Sequence, residues 1–266
     1  MSDTFLNDAA VAQAWDQNAK QWTRDVRAGF DLYRELYTFP AFLDFIPSIA
    51  GKRVIDLGCG EGTNTRQFAR LGGHLTGVDL SKEMIGYAQA QEAEDPLGIS
   101  YQIGSFADLS PYGENCFDVA LSTMALMDGP DFPAAMRAVH RVLKPGGILC
   151  FSVLHPCFIT PAIKWIIEED GSHSGLRIGR YFDRSPFVER WRFSKRPDLD
   201  HVPLFSVPRF PRTLSDYINP VSEAGFQNLR IAEPRPSEAI SAQNPWLKRW
   251  WDHAPLVLFL SATKPR

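Results

Sequence analysis

The sequence predicts an α/β protein whose largely parallel sheet is covered by helices on both faces and is interrupted by an inserted segment. Three observations support this. Short apolar runs typical of strands alternate with helical patterns between residues 51 and 155. Residues 156–212 are rich in proline, arginine and aromatic residues and lack clean periodicity, and helix and strand patterns return in residues 213–266. Such alternation favours parallel strands joined by helical crossovers.

Local signals set the individual elements. Residues 5–48 are predicted to be helical, with Pro40 and Pro47 as interruptions. Ser81 is a typical N-cap for a helix over residues 82–93. A turn over residues 144–147, Lys-Pro-Gly-Gly, precedes the fifth strand. The predicted strands are 52–57, 74–79, 100–104, 117–122, 148–154, 226–232 and 256–262, and the other predicted helices are 63–71, 132–143 and 213–224.

The length of 266 residues suits one domain with a large insertion or two small domains. We predict an N-terminal helical segment (1–50), which would cover a binding site in the core (51–155). An inserted cap (156–212) would hold a substrate, and residues 213–266 would complete the α/β core.

Composition and charge exclude several functions. The net charge of −3 and the absence of an overall basic excess argue against nucleic acid or an anionic membrane surface as partner. No stretch approaches the roughly 20 apolar residues that span a bilayer, and residues 1–14 do not resemble a secretion signal. The four cysteines have no metal-ligand spacing, so no metal site is predicted. We therefore expect a cytoplasmic protein.

A glycine-rich loop between the first strand and the next helix is the most informative motif. Asp56 is followed by Gly58, Gly60 and Gly62, and glycines in this place let a ligand approach the main chain closely. Asp79 ends the second strand, twenty-one positions after Gly58. An acid at this offset accepts hydrogen bonds from the ribose hydroxyls of an adenosine. The loop therefore predicts an adenosine-containing ligand.

The spacing discriminates between adenosine ligands. A dinucleotide loop needs a third glycine where this chain has Thr63, which argues against a nicotinamide dehydrogenase. A carboxylate at Asp56 would repel a pyrophosphate but suits a ligand with an ammonium group, such as S-adenosylmethionine. The alternative is that Asp56 only orients the loop.

As a set, the motifs resemble those of the class I S-adenosylmethionine-dependent methyltransferases. The resemblance covers residues 51–155 and is carried by residues 54–62, by Gly77-Val78-Asp79-Leu80-Ser81 and by the turn at residues 141–147. It implies a Rossmann-like sheet of seven strands in the order 3-2-1-4-5-7-6 with the seventh antiparallel, and S-adenosylhomocysteine as product. The cofactor contacts that it implies are Asp56, Gly58, Cys59, Gly60, Asp79, Leu80, Met84, Ser105, Phe106 and Ser122. Ser105 stands where many family members have an aspartate.

Two further residue types bear on the reaction. His155 follows the fifth strand and is the candidate general base, although an imidazole bonded to a backbone carbonyl is the alternative. All seven tryptophans fall outside residues 51–155. One or two of them are expected in the pocket, with Trp22 favoured, and the others would anchor the cap. Tyr33 and Arg34 are weaker candidates in the same N-terminal segment.

The segment between Gly171 and Arg212 contains nine basic residues and four acidic ones. They would recognise an anionic acceptor or form a solvated surface. The basic residues are Arg177, Arg180, Arg184, Arg190, Arg192, Lys195, Arg196, Arg209 and Arg212.

The sequence favours a methyltransferase that acts on oxygen, carbon or nitrogen of a small-molecule acceptor. The alternatives are a non-methylating reaction on the same fold and a non-catalytic cofactor-binding partner subunit.

Overall fold

The two periodic parts of the chain meet in one central sheet. The computed structural model describes residues 6–194, 196 and 198–266. Seven strands of the described chain pair in the order Ser100–Ile103, His74–Asp79, Arg53–Leu57, Phe117–Thr123, Leu143–Leu154, Val257–Thr263 and Gln227–Ala232. The first five of these strands are mutually parallel, and the sixth runs antiparallel to both of its neighbours. The predicted Rossmann-like order is therefore confirmed.

The elements have the following bounds. The strands are β1 Arg53–Leu57, β2 His74–Asp79, β3 Ser100–Ile103, β4 Phe117–Thr123, β5 Leu143–Leu154, β6 Lys164–Ile167, β7 His173–Arg177, β8 Phe187–Trp191, β9 Phe205–Arg209, β10 Gln227–Ala232 and β11 Val257–Thr263. The α-helices are α1 Asp8–Arg27, α2 Phe39–Phe45, α3 Thr63–Arg70, α4 Lys82–Glu94, α5 Phe132–Val142, α6 Leu214–Glu223, α7 Glu238–Gln243 and α8 Pro245–Asp252. A π-helical turn precedes α2 at Arg34–Thr38, and short 3₁₀ turns lie at Leu126–Asp128 and Leu199–His201.

The sheet has a hydrophobic core on each face because successive side chains of a strand point to opposite sides. On β1, Val54 belongs to the core that includes Phe42 and Phe68, whereas Ile55 belongs to the core that includes Phe132. Both strand residues are fully buried. Helices therefore cover both faces, which leaves the edge formed by the carboxyl ends of the strands for a ligand.

The N-terminal segment is not continuously helical as predicted. Helix α1 ends at Arg27, and the chain becomes helical again only at the π-helical turn. Pro40 does not interrupt a helix but lies in the first turn of α2, directly after the π-helical turn. Phe42 of α2 packs edge-on against Phe259 at 5.3 Å between ring centroids, which joins the segment to the sheet.

The predicted turn before the fifth strand lies inside a longer strand. Strand β5 already pairs with β4 through Leu143 and Phe117, and the register shifts before Ile148 pairs with Val119. Gly146 has φ of +79° at this bulge, a conformation that favours glycine. The predicted turn is therefore wrong: the strand continues through residues 144–147, and the two glycines lie at the register shift.

The cap, residues 156–212, contains two hairpins among its described residues. Strand β6 pairs with β7, and β8 pairs with β9. The second hairpin lies against α1, where the Asn18 side chain donates to the Ser206 carbonyl at 3.1 Å. The domain boundaries themselves stay a prediction. None of the described helices combines the length and apolar character that a membrane crossing requires.

Candidate functional site

A cavity of about 610 Å³ opens at the carboxyl ends of the parallel strands. Gly58 after β1, Asp79 at the end of β2, Thr123 at the end of β4 and Leu154 at the end of β5 all line it. Ligands of open α/β sheets bind at this edge. The volume lies within the usual range of small-molecule sites, roughly 300–1,000 Å³.

The glycine loop, residues 58–62, forms one wall of the cavity. A Cβ atom on Gly58 would lie 2.2 Å from the Ala125 Cβ, so this glycine is required by packing. Gly60 has φ of +56° and no atom within 4 Å of the position that a Cβ would take. Its main chain is therefore open to close approach by a ligand, as the sequence predicts.

Asp79 holds the glycine loop against the end of β2. Its carboxylate accepts hydrogen bonds from the backbone N–H of Gly60 and of Ser81, each at 2.9 Å. Burial raises the pKa of Asp79, and these two N–H donors oppose that rise. Each carboxylate oxygen has a second lone pair, which leaves capacity for two hydroxyl donors from a ligand.

The apolar side chains predicted to contact an adenine lie around the same part of the cavity. Leu80, Met84 and Phe106 all line it, and Ser81 caps the following helix α4 through a hydrogen bond from the Met84 N–H. Leu80 and Met84 are thus positioned by the strand end and by the first turn of that helix.

Trp22 belongs to an aromatic cluster that contributes to the lining of the cavity. Its ring centroid lies 5.1 Å from that of Trp15 and 5.3 Å from that of Phe193. Within the described residues, five of the tryptophans line the cavity, rather than the expected one or two. They are Trp15, Trp22, Trp191, Trp246 and Trp250. The sequence indicated an aromatic cover but underestimated how far three separate segments converge on it.

Asp56 is buried beneath the glycine loop and does not belong to the described lining of the cavity. One carboxylate oxygen accepts a hydrogen bond from the Thr65 hydroxyl at 2.6 Å, and the other has no hydrogen-bond partner among the described residues. Burial raises the pKa of Asp56 to about 7. In this geometry the residue ties the end of β1 to α3, and its predicted contact with the cofactor stays a prediction.

The raised pKa of Asp56 predicts a pH-dependent stability. The ordinary pKa near 3.8 applies when the chain is unfolded, so the native state holds its proton up to a higher pH. The contribution to stability is complete below about pH 4 and is lost as the pH rises through 7. The Asp56→Asn variant should therefore gain about 2 kcal/mol relative to the unsubstituted protein between pH 5 and pH 8. Urea unfolding of both proteins across this range measures it.

Asp108→Asn is a matched control, since Asp108 is exposed and its pKa is lowered by the neighbouring Ser110. A stability difference between Asp56→Asn and the unsubstituted protein that stays constant from pH 5 to pH 8 would show that Asp56 does not titrate in this range.

Three other predicted cofactor contacts lie outside the described lining of the cavity. Cys59 is buried, and burial raises the pKa of its thiol, as suits a small apolar filler. The Ser122 hydroxyl is fully buried and donates to the Leu57 carbonyl at 2.7 Å. The Ser105 hydroxyl accepts from the Ala107 N–H at 3.1 Å. Their direct contact with a ligand remains a prediction. In this structure all three pack or hydrogen-bond within the protein near the carboxyl ends of the strands.

His155 likewise lies outside the described lining. Its Nδ1 accepts from the Cys157 N–H at 3.3 Å, so the proton is on Nε2, which lies 2.7 Å from a Glu233 carboxylate oxygen. Burial lowers the pKa of His155, while Glu233 raises it. Both ring nitrogens therefore have partners in the protein, as in the structural alternative, although the predicted partner was a carbonyl. The role of base stays a prediction without geometric support.

Several lining residues were not singled out by the sequence. Asn64, in the first turn of α3, donates to the Thr123 hydroxyl at 2.9 Å and accepts from Arg34 at the same distance. Met124 follows β4 with φ of +56°, a strained conformation that is concentrated at functional sites. Its N–H donates to the carbonyl of Ser152 at 3.0 Å. Only their positions directly after the glycine loop and β4 could have indicated them.

The basic residues of the cap are mostly used within the protein. Arg180 and Arg184 pair with Asp183 and Asp216, and Arg196 and Arg209 pair with other acids. Arg192 and Arg212 donate to backbone carbonyls, and Lys195 lies outside the described residues. Their excess therefore gives little support to the predicted recognition of an anion by the cap.

Comparison with known proteins is consistent with this geometry. Residues 55–151 match the family described as methyltransferase domain. The chain is 36% identical over 119 residues to a ubiquinone biosynthesis O-methyltransferase of Xanthomonas oryzae, covering 44% of this chain and 50% of that one. It is 31% identical over 150 residues to a malonyl-[acyl-carrier protein] O-methyltransferase of Pectobacterium atrosepticum, covering 56% and 54%. The chain thus spans about half the length of these curated relatives.

A solved structure extends the similarity to most of the molecule. The crystal structure of an S-adenosylmethionine-dependent methyltransferase from Mesorhizobium loti is 30% identical, with a TM-score of 0.68. The alignment covers 85% of this chain and 96% of that one. The resemblance carried by the glycine loop and Asp79 is therefore confirmed, and the chain belongs to the S-adenosylmethionine-dependent methyltransferases.

Proposed function

We propose that the protein transfers the methyl group of S-adenosylmethionine to a small-molecule acceptor held in the cavity and releases S-adenosylhomocysteine. One observation carries the proposal. A single cavity joins the glycine loop and Asp79 on one side to an aromatic wall from the N-terminal segment, the cap and α8 on the other. The printed names of the Xanthomonas and Pectobacterium relatives favour oxygen as the acceptor atom.

The residues present fit this cofactor. The open space at Gly60 admits close approach to the main chain, and the free lone pairs of Asp79 suit the two ribose hydroxyls. Leu80, Met84 and Phe106 would hold the adenine between apolar surfaces. Each of these groups lines the cavity, so the fit needs no rearrangement of the chain.

Arg34 would bind the carboxylate at the methionine end of the cofactor. It lines the cavity, and its guanidinium is bonded to Asn64, which follows the glycine loop by two residues. The Nε of Arg34 is buried and has no hydrogen-bond partner among the described residues. Asp31 lies 4.0 Å from this nitrogen, within ion-pairing but not hydrogen-bonding distance, so the N–H retains the capacity to donate to a carboxylate oxygen of the cofactor.

The chain contributes mainly geometry to the reaction. When bound, the cofactor supplies an electrophilic methyl carbon on a sulfonium. A lone pair of the acceptor forms the new bond to this carbon, and the electrons of the carbon–sulfur bond stay on sulfur. The aromatic wall excludes water and holds the acceptor in line, and such positioning supplies roughly 7–11 kcal/mol in favourable cases. The proton of a hydroxyl acceptor would pass to water or to a carboxylate of the lining, such as that of Asp31.

The proposed function is tested by incubating the protein with methyl-labelled S-adenosylmethionine and fractionated small metabolites. We expect labelled product and S-adenosylhomocysteine in equal amounts. A product without S-adenosylhomocysteine would establish a non-methylating reaction instead. Tight cofactor binding without turnover of any fraction would favour the alternative of a non-catalytic partner subunit.

A further inference from the structure

Arg249 of α8 is a cation that lines the cavity without a counter-charge. Among the described residues, no carboxylate lies within ion-pairing distance of its guanidinium. One terminal nitrogen donates to the Tyr33 hydroxyl at 3.0 Å, and the buried Nε has no hydrogen-bond partner among the described residues. Arginine cannot lose its charge, and a half-buried cation without a partner is unfavourable.

The other arginines of the cavity differ from Arg249 in this respect. Arg34 pairs with Asp31 and Glu35, and Arg209 pairs with Asp128 and Glu189. Arg192 donates to two backbone carbonyls of the cap. Among the arginines of the described lining, Arg249 is therefore the one whose guanidinium has neither a carboxylate nor a backbone carbonyl as partner.

Aromatic rings fix the guanidinium in place. It stacks over Trp165 at 5.0 Å and over Trp250 at 5.5 Å from the ring centroids. Such stacking restricts the orientation of the side chain, so that little conformational entropy is lost when Nε binds a ligand. The unpaired N–H is thus preorganised.

The surroundings indicate what kind of molecule carries the missing anion. The cavity lining near this wall is apolar and aromatic, and it includes Phe39, Phe42, Ile163 and Trp250. A single unpaired arginine suits a singly charged carboxylate, whereas a phosphate would require more donors. The complementary ligand is a flat apolar body that ends in a carboxylate.

We propose that Arg249 determines acceptor specificity by binding the carboxylate of a small aromatic acid. The inference rests on the proposed function, because it assigns the acceptor part of the same cavity. Arg249 of α8, and not the basic residues of the cap, would then recognise the anion of the acceptor.

The test compares acids with their neutral amides on protein saturated with S-adenosylhomocysteine. Benzoate and 3-phenylpropionate are titrated calorimetrically beside benzamide and 3-phenylpropanamide. We expect the better acid to bind at least 10-fold more tightly than its amide, as a charged hydrogen bond allows. The Arg249→Gln variant should lose this preference while its affinity for S-adenosylhomocysteine stays within about 2-fold, because the described partners of Arg249 are Tyr33, Trp165 and Trp250, none of which belongs to the glycine loop.

Arg235→Gln is the matched control. Arg235 also stacks on a tryptophan, Trp251, at 4.4 Å, but it does not belong to the described lining of the cavity. This variant should keep the preference for the acid. If Arg249→Gln fails to fold, the acid and amide are compared on the unsubstituted protein at low and high salt, where only the acid should weaken.

Three results would overturn the assignment. They are equal binding of acid and amide, binding of neither to the loaded protein, and a loss of S-adenosylhomocysteine affinity in Arg249→Gln as large as the loss for the acid. Absence of S-adenosylhomocysteine binding by the unsubstituted protein would instead refute the proposed function.

Discussion

The Arg209→Met variant is expected to lose about 3–5 kcal/mol of unfolding free energy, because it leaves a buried carboxylate without its partner. Arg209 on β9 pairs with Asp128, whose side chain is 8% exposed. Burial already raises the pKa of Asp128 to about 6 while Arg209 lowers it. Without the Arg209 guanidinium, the carboxylate would keep the desolvation penalty with only the weaker effect of Arg212 opposing it. Urea denaturation at pH 8 measures the loss.

A second variant and the pH dependence separate this cause from lost packing. The double variant Asp128→Leu with Arg209→Met removes both charges and should recover most of the stability. Because Arg209 lowers the pKa of Asp128, its removal raises that pKa above 6, so the loss in the single variant should shrink as the pH falls from 8 towards 6. Arg180→Met is the control, because its pair with Asp183 is exposed and is worth at most about 1 kcal/mol. A loss independent of pH, unrecovered in the double variant, would contradict the argument.

The Asp79→Ala variant is expected to bind S-adenosylhomocysteine about 10- to 100-fold more weakly, in line with the usual penalty for a lost charged hydrogen-bond partner. Two effects combine. The ribose hydroxyls lose their acceptor, and the Gly60 N–H loses the bond that holds the glycine loop to β2. Isothermal titration calorimetry gives the dissociation constants.

Asp170→Ala is a matched control for this experiment. Asp170 accepts a hydrogen bond from the N–H two residues later at 2.9 Å, the same local bond that Asp79 makes with Ser81. It lies in the exposed turn between β6 and β7, so its removal should leave cofactor affinity unchanged. Equal affinities in the Asp79 variant and the unsubstituted protein would show that the ribose is bound elsewhere.

The sequence predicted the sheet and the position of the glycine loop at the cavity well, because both depend on local patterns. The glycines at 58 and 60 are each in the left-handed region, and only a few residue types allow this. The alternation of buried strands and helices specifies their order in the chain, and the family resemblance supplied their order in the sheet.

The part of the cavity lining outside the sequence motifs could not be predicted in the same way. Thr123, Ile163 and Arg249 come from three distant segments, and only tertiary packing brings them together. Position in a motif was also a poor guide to which side chain faces a ligand. Ser122 and Thr123 are adjacent on β4, yet only Thr123 lines the cavity, because successive side chains of a strand alternate in direction.

The contact between α1 and the second hairpin has a consequence for biosynthesis. The hydrogen bond from Asn18 to Ser206 joins positions 188 residues apart, and ribosomes make the amino end first. Helix α1 is therefore synthesised long before β9, whose Phe205 packs on Trp22. Until β9 is made, the indole side chains of α1 are exposed to water or bound by a chaperone. Nascent chains that stall before β9 should be prone to aggregate for this reason.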